Sequence, residues 1–378
     1  MNQKELNELR RRFRPERSGI ARVYGCFVNG SREVVAETDV SLGMAGKEEQ
    51  ETYLALLRKT LSGSLGRNLI DIPFETKQVA GSDEHRLLQT LRESACADES
   101  ARHELYSRII ASLDMQGENY LILLAGDAYD VPHRGADGET DETGDEVFRF
   151  IVCTVCPVKD ASVALRYFAE ESAFRGVSTG QTVAAPALGF LFPAFDSRQT
   201  NLYNCLYYTR SAGDNHPELI EALFHITPPL PADEQKGSFD GLLSQTLGDE
   251  CSMEVVQAVQ TDLRERIEVH KETKSDEPLV VSGQEVRAVL ESAGVSEEKL
   301  AAFRVKFEEA FGDDAALSPR NLVDSKKMQL KTPDVIINVA PDRSDLVETR
   351  TLGGVKYIMV RAEDGVELNG VDIQIEQP

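Results

Sequence analysis

Asp127, Asp130 and His133 follow an apolar run, Tyr120-Leu-Ile-Leu-Leu-Ala125, and precede Asp137, Glu139, Asp141, Glu142, Asp145 and Glu146. Rigid backbone ending on carboxylates and an imidazole can hold oxygen and nitrogen ligands for a hard cation, or an acid and a base, at a solvent edge. The chemistry this supports is metal-assisted hydrolysis of a phosphoester. Asp127, Asp130 and His133 would be the ligands or proton-transfer groups, and a divalent metal the one cofactor left open. The spacing does not complete a calcium loop: starting at Asp137, the template requires Gly at the sixth place and Glu at the twelfth, and the chain has Glu142 and Phe148. A solvated acidic loop from Gly126 to Glu146 is the plainer reading.

Other constellations are weaker. Cys153-Thr-Val-Cys156 has the spacing of redox and zinc sites, but residues i and i+3 of a strand point to opposite faces, and no second Cys or His pair lies nearby. Two core cysteines are expected. Ser62-Gly-Ser-Leu-Gly66 has Ser where a nucleophile elbow needs Gly, and it follows a helix instead of a strand. Gly63-Ser-Leu-Gly66 also matches the G-x-x-G clamp of RNA-binding KH domains, without the helix that should follow. Gly43-Met-Ala-Gly46-Lys47-Glu48 is too short for a phosphate loop. All of these read as helix-ending or connecting turns. His85, His103, His216, His225 and His270 are scattered and receive no role.

The strongest charge feature lies at the front. Residues 1–22 hold Lys4, Arg10, Arg11, Arg12, Arg14, Arg17 and Arg22 against Glu5, Glu8 and Glu16, a net +4, which leaves −27 for the rest of a chain of net charge −23. Guanidinium forks suit phosphates, and Phe13 among them could stack on a base, so Arg10, Arg11, Arg12, Arg14 and Arg17 are candidate contacts for nucleic acid or phosphate. The competing expectation is a helix docked by its basic side onto the acidic body. So acidic a remainder argues against nucleic acid across the whole surface.

The elements that must position these groups can be read from periodicity. A helix over Lys4–Phe13 stops at Pro15. Ile20–Val28 and Glu33–Glu37 form a hairpin across Asn29-Gly30. Helices follow over Lys47–Leu61, Ser82–Arg92 and Asp98–Leu113, with a strand over 68–74. Tyr120–Ala125 and Val147–Val155 are two central strands, at least one buried on both faces. Ala161–Phe174 reads as a helix and 183–208 as strands. Helices return over Pro217–His225, Glu234–Leu247 and Ser252–His270, the last with a stripe of Met253, Val256, Leu263 and Ile267 and an Asp262/Arg266 pair. Lys271–Pro278 is a polar boundary. Beyond it Ser282 and Glu285 make a capping box, a second helix runs to Phe311, and Val347–Leu352 and Val355–Val360 pair across Gly353-Gly354. The fold class is α+β (mixed α/β): a sheet-containing core over 1–211, a helical segment over 212–275 and a small α+β module over 276–378.

Composition bounds the rest. The 41% hydrophobic content suits a packed core, and 378 residues suit two or three domains. The opening residues lack the apolar run of an export signal. The longest apolar stretch, Val183–Phe195, carries two prolines and falls short of the ~20 residues of a membrane helix. Six cysteines in such a chain fit reduced thiols in the cytoplasm.

Leu9-Arg-Arg-Arg-Phe-Arg-Pro-Glu16, Val23-Tyr-Gly-Cys26, Asn119–Ala125 with Tyr129-Asp-Val-Pro132, Gly189-Phe-Leu-Phe-Pro-Ala-Phe-Asp196 and Ser344-Asp-Leu-Val-Glu-Thr-Arg350 together resemble an uncharacterised bacterial family, domain of unknown function 4317. The resemblance spans nearly the whole chain. It implies a bacterial cytoplasmic setting and transfers no activity. The leading expectation is a non-catalytic binding or regulatory protein that meets RNA or ribonucleoprotein through its basic N-terminus, uses no cofactor and does not meet a membrane, with self-association left open. The alternative is the metal-assisted phosphoester hydrolase.

Overall fold

The structure, a computed structural model, describes residues 1–134, 140–161, 163–177, 180–312, 315–324, 327–362, 365–368 and 370–374, and within them every side chain except those of 132–134, 140–146, 164, 341 and 342. The chain divides into two compact units, Met1–Gln235 with Lys274–Pro278, and Lys236–Thr273 with Leu279–Pro378. Residues 212–235 thus go with the sheet-bearing unit and 236–273 with the C-terminal one. The polar stretch 274–278 joins the first unit, where the Gln3 N–H donates to the Asp276 carbonyl at 2.8 Å.

The strands of the first unit are β1 (Arg22–Val28), β2 (Val34–Ser41), β3 (Leu69–Pro73), β4 (Asn119–Arg134), β5 (Thr140–Asp160), β6 (Ala164–Phe168), β7 (Ala173–Val177), β8 (Gln181–Val183), β9 (Leu188–Phe192), β10 (Ala194–Asp196), β11 (Gln199–Asn201) and β12 (Asn204–Thr209). Its helices are α1 (Gln3–Arg12), α2 (Lys47–Lys59), α3 (Thr76–Gly81), α4 (Asp83–Glu93), α5 (Glu99–Ser112) and α6 (Pro217–Phe224). The main sheet runs β2-β1-β4-β5-β9-β12-β3, with β8 also on β5, and every pairing is antiparallel.

The two faces carry separate cores. One joins Cys26, Ile122, Leu124, Ile151, Cys153 and Phe190 to Leu88, Leu91, Leu105 and Ile109 of α4 and α5 and to Phe224 of α6. The other joins Leu123, Ala125, Tyr129, Phe148, Phe150 and Val152 to Leu6, Leu9 and Phe13 of the α1 arm and to Leu54 and Leu57 of α2. Strands clad on both faces must be apolar on both, which is why Tyr120–Ala125 and Phe150–Val155 read as continuous hydrophobic runs.

Two expectations are corrected. The segment Gly126–Glu146 is no loop at its described ends: β4 continues to Arg134, and β5 begins at Thr140, paired from Asn119↔Val158 to Arg134↔Thr140. Past Gly126 the two strands pair only with each other among the described residues, forming a ribbon beyond the sheet. Alternation explains it, since Ala125, Asp127, Tyr129 and Val131 are buried while Ala128 and Asp130 are exposed. The acids Asp137 and Glu139 lie outside the described residues. Second, Ala161–Phe174 is not helical but gives the hairpin β6–β7. Val163, Leu165 and Tyr167 alternate with period two, and Ser172 turns the chain with a left-handed φ of 46°.

In the second unit α7 (Ala232–Leu247), which enters it at Lys236, α8 (Met253–Thr273), α9 (Gly283–Ser292) and α10 (Glu297–Phe311) enclose a third core around Phe239, Leu263, Leu290 and Phe303. The buried stripe of α8 is Val255, Val259, Leu263 and Ile267, a straight i+4 row, so Met253 and Val256 flank it. The capping box of Ser282 and Glu285 forms as read, and Arg266 bonds Asp262 at 2.7 Å. β13 (Val281–Ser282) pairs with β14 (Ala316–Leu317), followed by α11 (Pro319–Leu322). Three hairpins end the unit: β15 (Met328–Lys331) with β16 (Ile336–Val339), β17 (Val347–Leu352) with β18 (Val355–Val360), and β19 (Val366–Leu368) with β20 (Val371–Ile373). Among the described residues no helix is long and apolar enough to cross a membrane.

Candidate functional site

The N-terminal arm sorts its charges by direction. Asn2 caps α1, accepting from the Glu5 N–H at 3.0 Å, and Glu5 accepts in return from the Asn2 N–H at 2.8 Å. Glu5 is buried and also takes the Arg198 backbone N–H at 3.0 Å. Glu8 accepts from the Tyr129 hydroxyl and from the Arg198 guanidinium. Both helix acids are therefore spent inward, where Leu6, Leu9 and Phe13 anchor the same face.

The five candidate arginines divide into two sets. Arg10 donates through Nε to the Leu61 carbonyl at 2.8 Å and through Nη2 to the Gly63 carbonyl at 3.2 Å, bracing the turn that follows α2. Burial, and then the neighbouring Arg58, lower its proton affinity below the ordinary arginine value. The Arg12 guanidinium lies 4.7 Å from the centre of the Tyr129 ring. Arg11, Arg14 and Arg17 are exposed, and their side chains have no hydrogen-bond or ion-pair partner among the described residues. Arg10 and Arg12 are thus held by the fold, and the guanidinium groups of Arg11, Arg14 and Arg17 face solvent. The helix end itself favours cations there, because its last carbonyls carry partial negative charge.

The acidic candidates do not converge. Asp127 is buried and accepts from Gly19 N–H at 3.3 Å and Ala128 N–H at 2.8 Å, and burial pushes its pKa up despite the nearby Arg12. Gly19 is required for this approach, since a Cβ there would fall 2.3 Å from Asp127 Oδ1. Asp130 is exposed on the opposite face of β4, and the His133 side chain lies outside the described residues. Among the described residues no three His, Cys, Asp or Glu side chains lie together as a metal would need.

Cys153 and Cys156 also take opposite faces. Cys153 belongs to the α4–α5 core, and Cys156 lies on the side of Thr154 and Lys59. Both are buried, and burial pushes the Cys156 thiol up to about 12. The Ser62–Gly66 segment is the turn that ends α2, with Gly63 and Gly66 at φ of 90° and 74° and the Ser62 hydroxyl donating to the Lys59 carbonyl.

One charged cluster escapes sequence reasoning. Buried Glu84 lies 3.2 Å from Nδ1 of half-exposed His225 and accepts from Gln78 Nε2 at 3.0 Å, while the same Gln78 nitrogen donates to the Phe224 carbonyl at 3.0 Å. Hydrogen bonding from Gln78 and Ser82 and the charge of His225 outweigh burial and hold the Glu84 carboxyl below its usual range. His225 ends α6 in a left-handed conformation, φ 48°. The cluster fastens the end of α6 to α3 and α4. Residues 78, 84 and 225 share no spacing that could have announced it.

No curated protein matches the chain. Family comparison agrees with the motifs spread along it: the model of one family matches residues 1–371, and the chain belongs to that family, described as Domain of unknown function (DUF4317).

Proposed function

We propose that this is a non-catalytic binding or regulatory protein of the bacterial cytoplasm whose N-terminal arm contacts RNA or ribonucleoprotein through Arg11, Arg14 and Arg17. One observation carries this reading. Helix α1 turns Glu5 and Glu8 inward, and the arm leaves the side chains of those three arginines exposed and, among the described residues, without a hydrogen-bond or ion-pair partner, against the one exposed acid Glu16, on a chain of net charge −23. An acidic body gives every reason for arginines to be neutralised internally, so their freedom favours an external anion. Polyphosphate backbones meet that need by charge alone, without base recognition. The hydrolase alternative draws no support from the divergence of Asp127 and Asp130.

The test is fluorescence anisotropy of a labelled uridine oligonucleotide of about 12 residues, a length within the usual range of single-strand sites. Full-length protein should bind, and Arg11→Glu/Arg14→Glu/Arg17→Glu should lose binding while melting as the parent does. Equal binding by the triple variant would defeat the proposal.

A further inference from the structure

The C-terminal hairpins of the second unit leave a cleft of about 760 Å³ between β15–β16 and β17–β18. Its volume is that of a ligand site. Val335, Ile337 and Ile358 give it apolar walls, Thr349 lies opposite Ile358, and Arg350 and Lys356 bring positive charge. Its lining holds no carboxylate, on a chain with 64 acidic residues. Both Nε and Nη2 of Arg350 donate to Glu348 Oε2, at 3.2 and 3.0 Å, whereas Lys356 has no partner among the described residues.

The strands around the cleft are incomplete as a sheet. β16 pairs only with β15, and β17 only with β18, so each hairpin keeps open edges among the described residues. Every residue of β18 is exposed, and five of its six are apolar or aromatic. An isolated two-stranded hairpin is marginal in water, and an apolar strand with an open edge is a template for another strand. β17 carries Glu348 and Arg350, which discourages unselective pairing, while β18 has Lys356 as its one charge.

The geometry points to this cleft as a docking site for an extended acidic peptide segment of a partner protein, added as a strand against the hairpins. Its backbone would pair with an open edge, alternate apolar side chains would enter beside Val335, Ile337 and Ile358, and a carboxylate would meet Lys356. Charge complementarity selects an acidic occupant, because Arg350 is already matched by Glu348 while the Lys356 amino group is not, and no lining residue is acidic. The site is independent of the N-terminal arginines.

The probe is a displayed library of degenerate octapeptides selected on the full-length chain. Enriched peptides should be free of proline, carry Asp or Glu among β-branched or aromatic residues, and lose binding when their central amides are N-methylated. Lys356→Glu should abolish their binding, and Lys356→Arg should keep it. Lys356 is exposed, so both variants should fold. Absence of enrichment, enrichment of basic peptides, tolerance of N-methylation, or binding unchanged by Lys356→Glu would each overturn the proposal.

Discussion

Deleting residues 1–17 should unfold much of the first unit rather than trim a detachable arm. Leu6 and Leu9 are completely buried and Phe13 is 3% exposed, all packed on the sheet face that carries Phe148 and Phe150. At ~1.5–3 kcal/mol for each side chain withdrawn from the core, the three contribute about 5–9 kcal/mol. Whole domains are stable by only ~5–15 kcal/mol. The single change Leu9→Ala isolates the effect, with an expected loss of ~2–5 kcal/mol from the transfer and the cavity together. A loss near 3 kcal/mol lowers the melting temperature of a unit this size by ~6–12 °C. Thermal unfolding followed by circular dichroism reads it. Arg11→Glu, Arg14→Glu and Arg17→Glu should each stay within ~0.5 kcal/mol of the parent, since they change exposed side chains only. A deletion variant that melts with the full chain, or a neutral Leu9→Ala, would refute the docking of the arm.

Gly19→Ala should destabilise the first unit by ~1–3 kcal/mol, because its Cβ displaces the Asp127 carboxylate from two backbone donors; an unchanged urea midpoint would exclude that contact. Glu84 has a lowered folded-state pKa, so its contribution is present above the ordinary glutamate range and is lost as pH falls through the folded value. Glu84→Gln should therefore cost stability at neutral pH and converge with the parent in acid, as urea titrations across pH would show. Five of the six cysteines are buried and Cys251 is half-buried, so a thiol reagent on native protein should modify Cys251 well before Cys153 or Cys156; rapid labelling of either would reopen a redox reading.

Much of the fold was legible because period and burial coincide. Leu54 and Leu57 of α2 and the capping box at Ser282 follow from local chemistry that tertiary packing does not override, and the β1–β2 hairpin forms where Asn29-Gly30 marks it, though as a longer turn in which Asn29 Oδ1 accepts from the Ser31 and Glu33 N–H groups and Arg32 takes the left-handed φ of 65°. The ribbon beyond Gly126 was hidden because Asp127 and Asp130 look like loop residues. Only the assembled structure supplies the Gly19 and Ala128 donors that make a buried aspartate tolerable on a strand. The β6–β7 hairpin was hidden by Ala161, Ala164 and Ala169, whose helix propensity masked the alternation of Leu165 and Tyr167. Of the candidate site, the arginine cluster was visible in composition. Its division was not, because the Leu61 and Gly63 carbonyls and the Tyr129 ring that hold Arg10 and Arg12 are distant in sequence.

The salt dependence of RNA binding measures the arm most directly. Each phosphate neutralised on a single strand contributes ~0.7 to the slope of log affinity against log salt, so three arginines should account for a slope of about 2. Between 50 and 200 mM salt the arm alone should then weaken binding by ~20-fold, a component that Arg11→Glu/Arg14→Glu/Arg17→Glu removes. Parent and triple variant with the same slope, or a parent whose affinity ignores salt, would contradict the account.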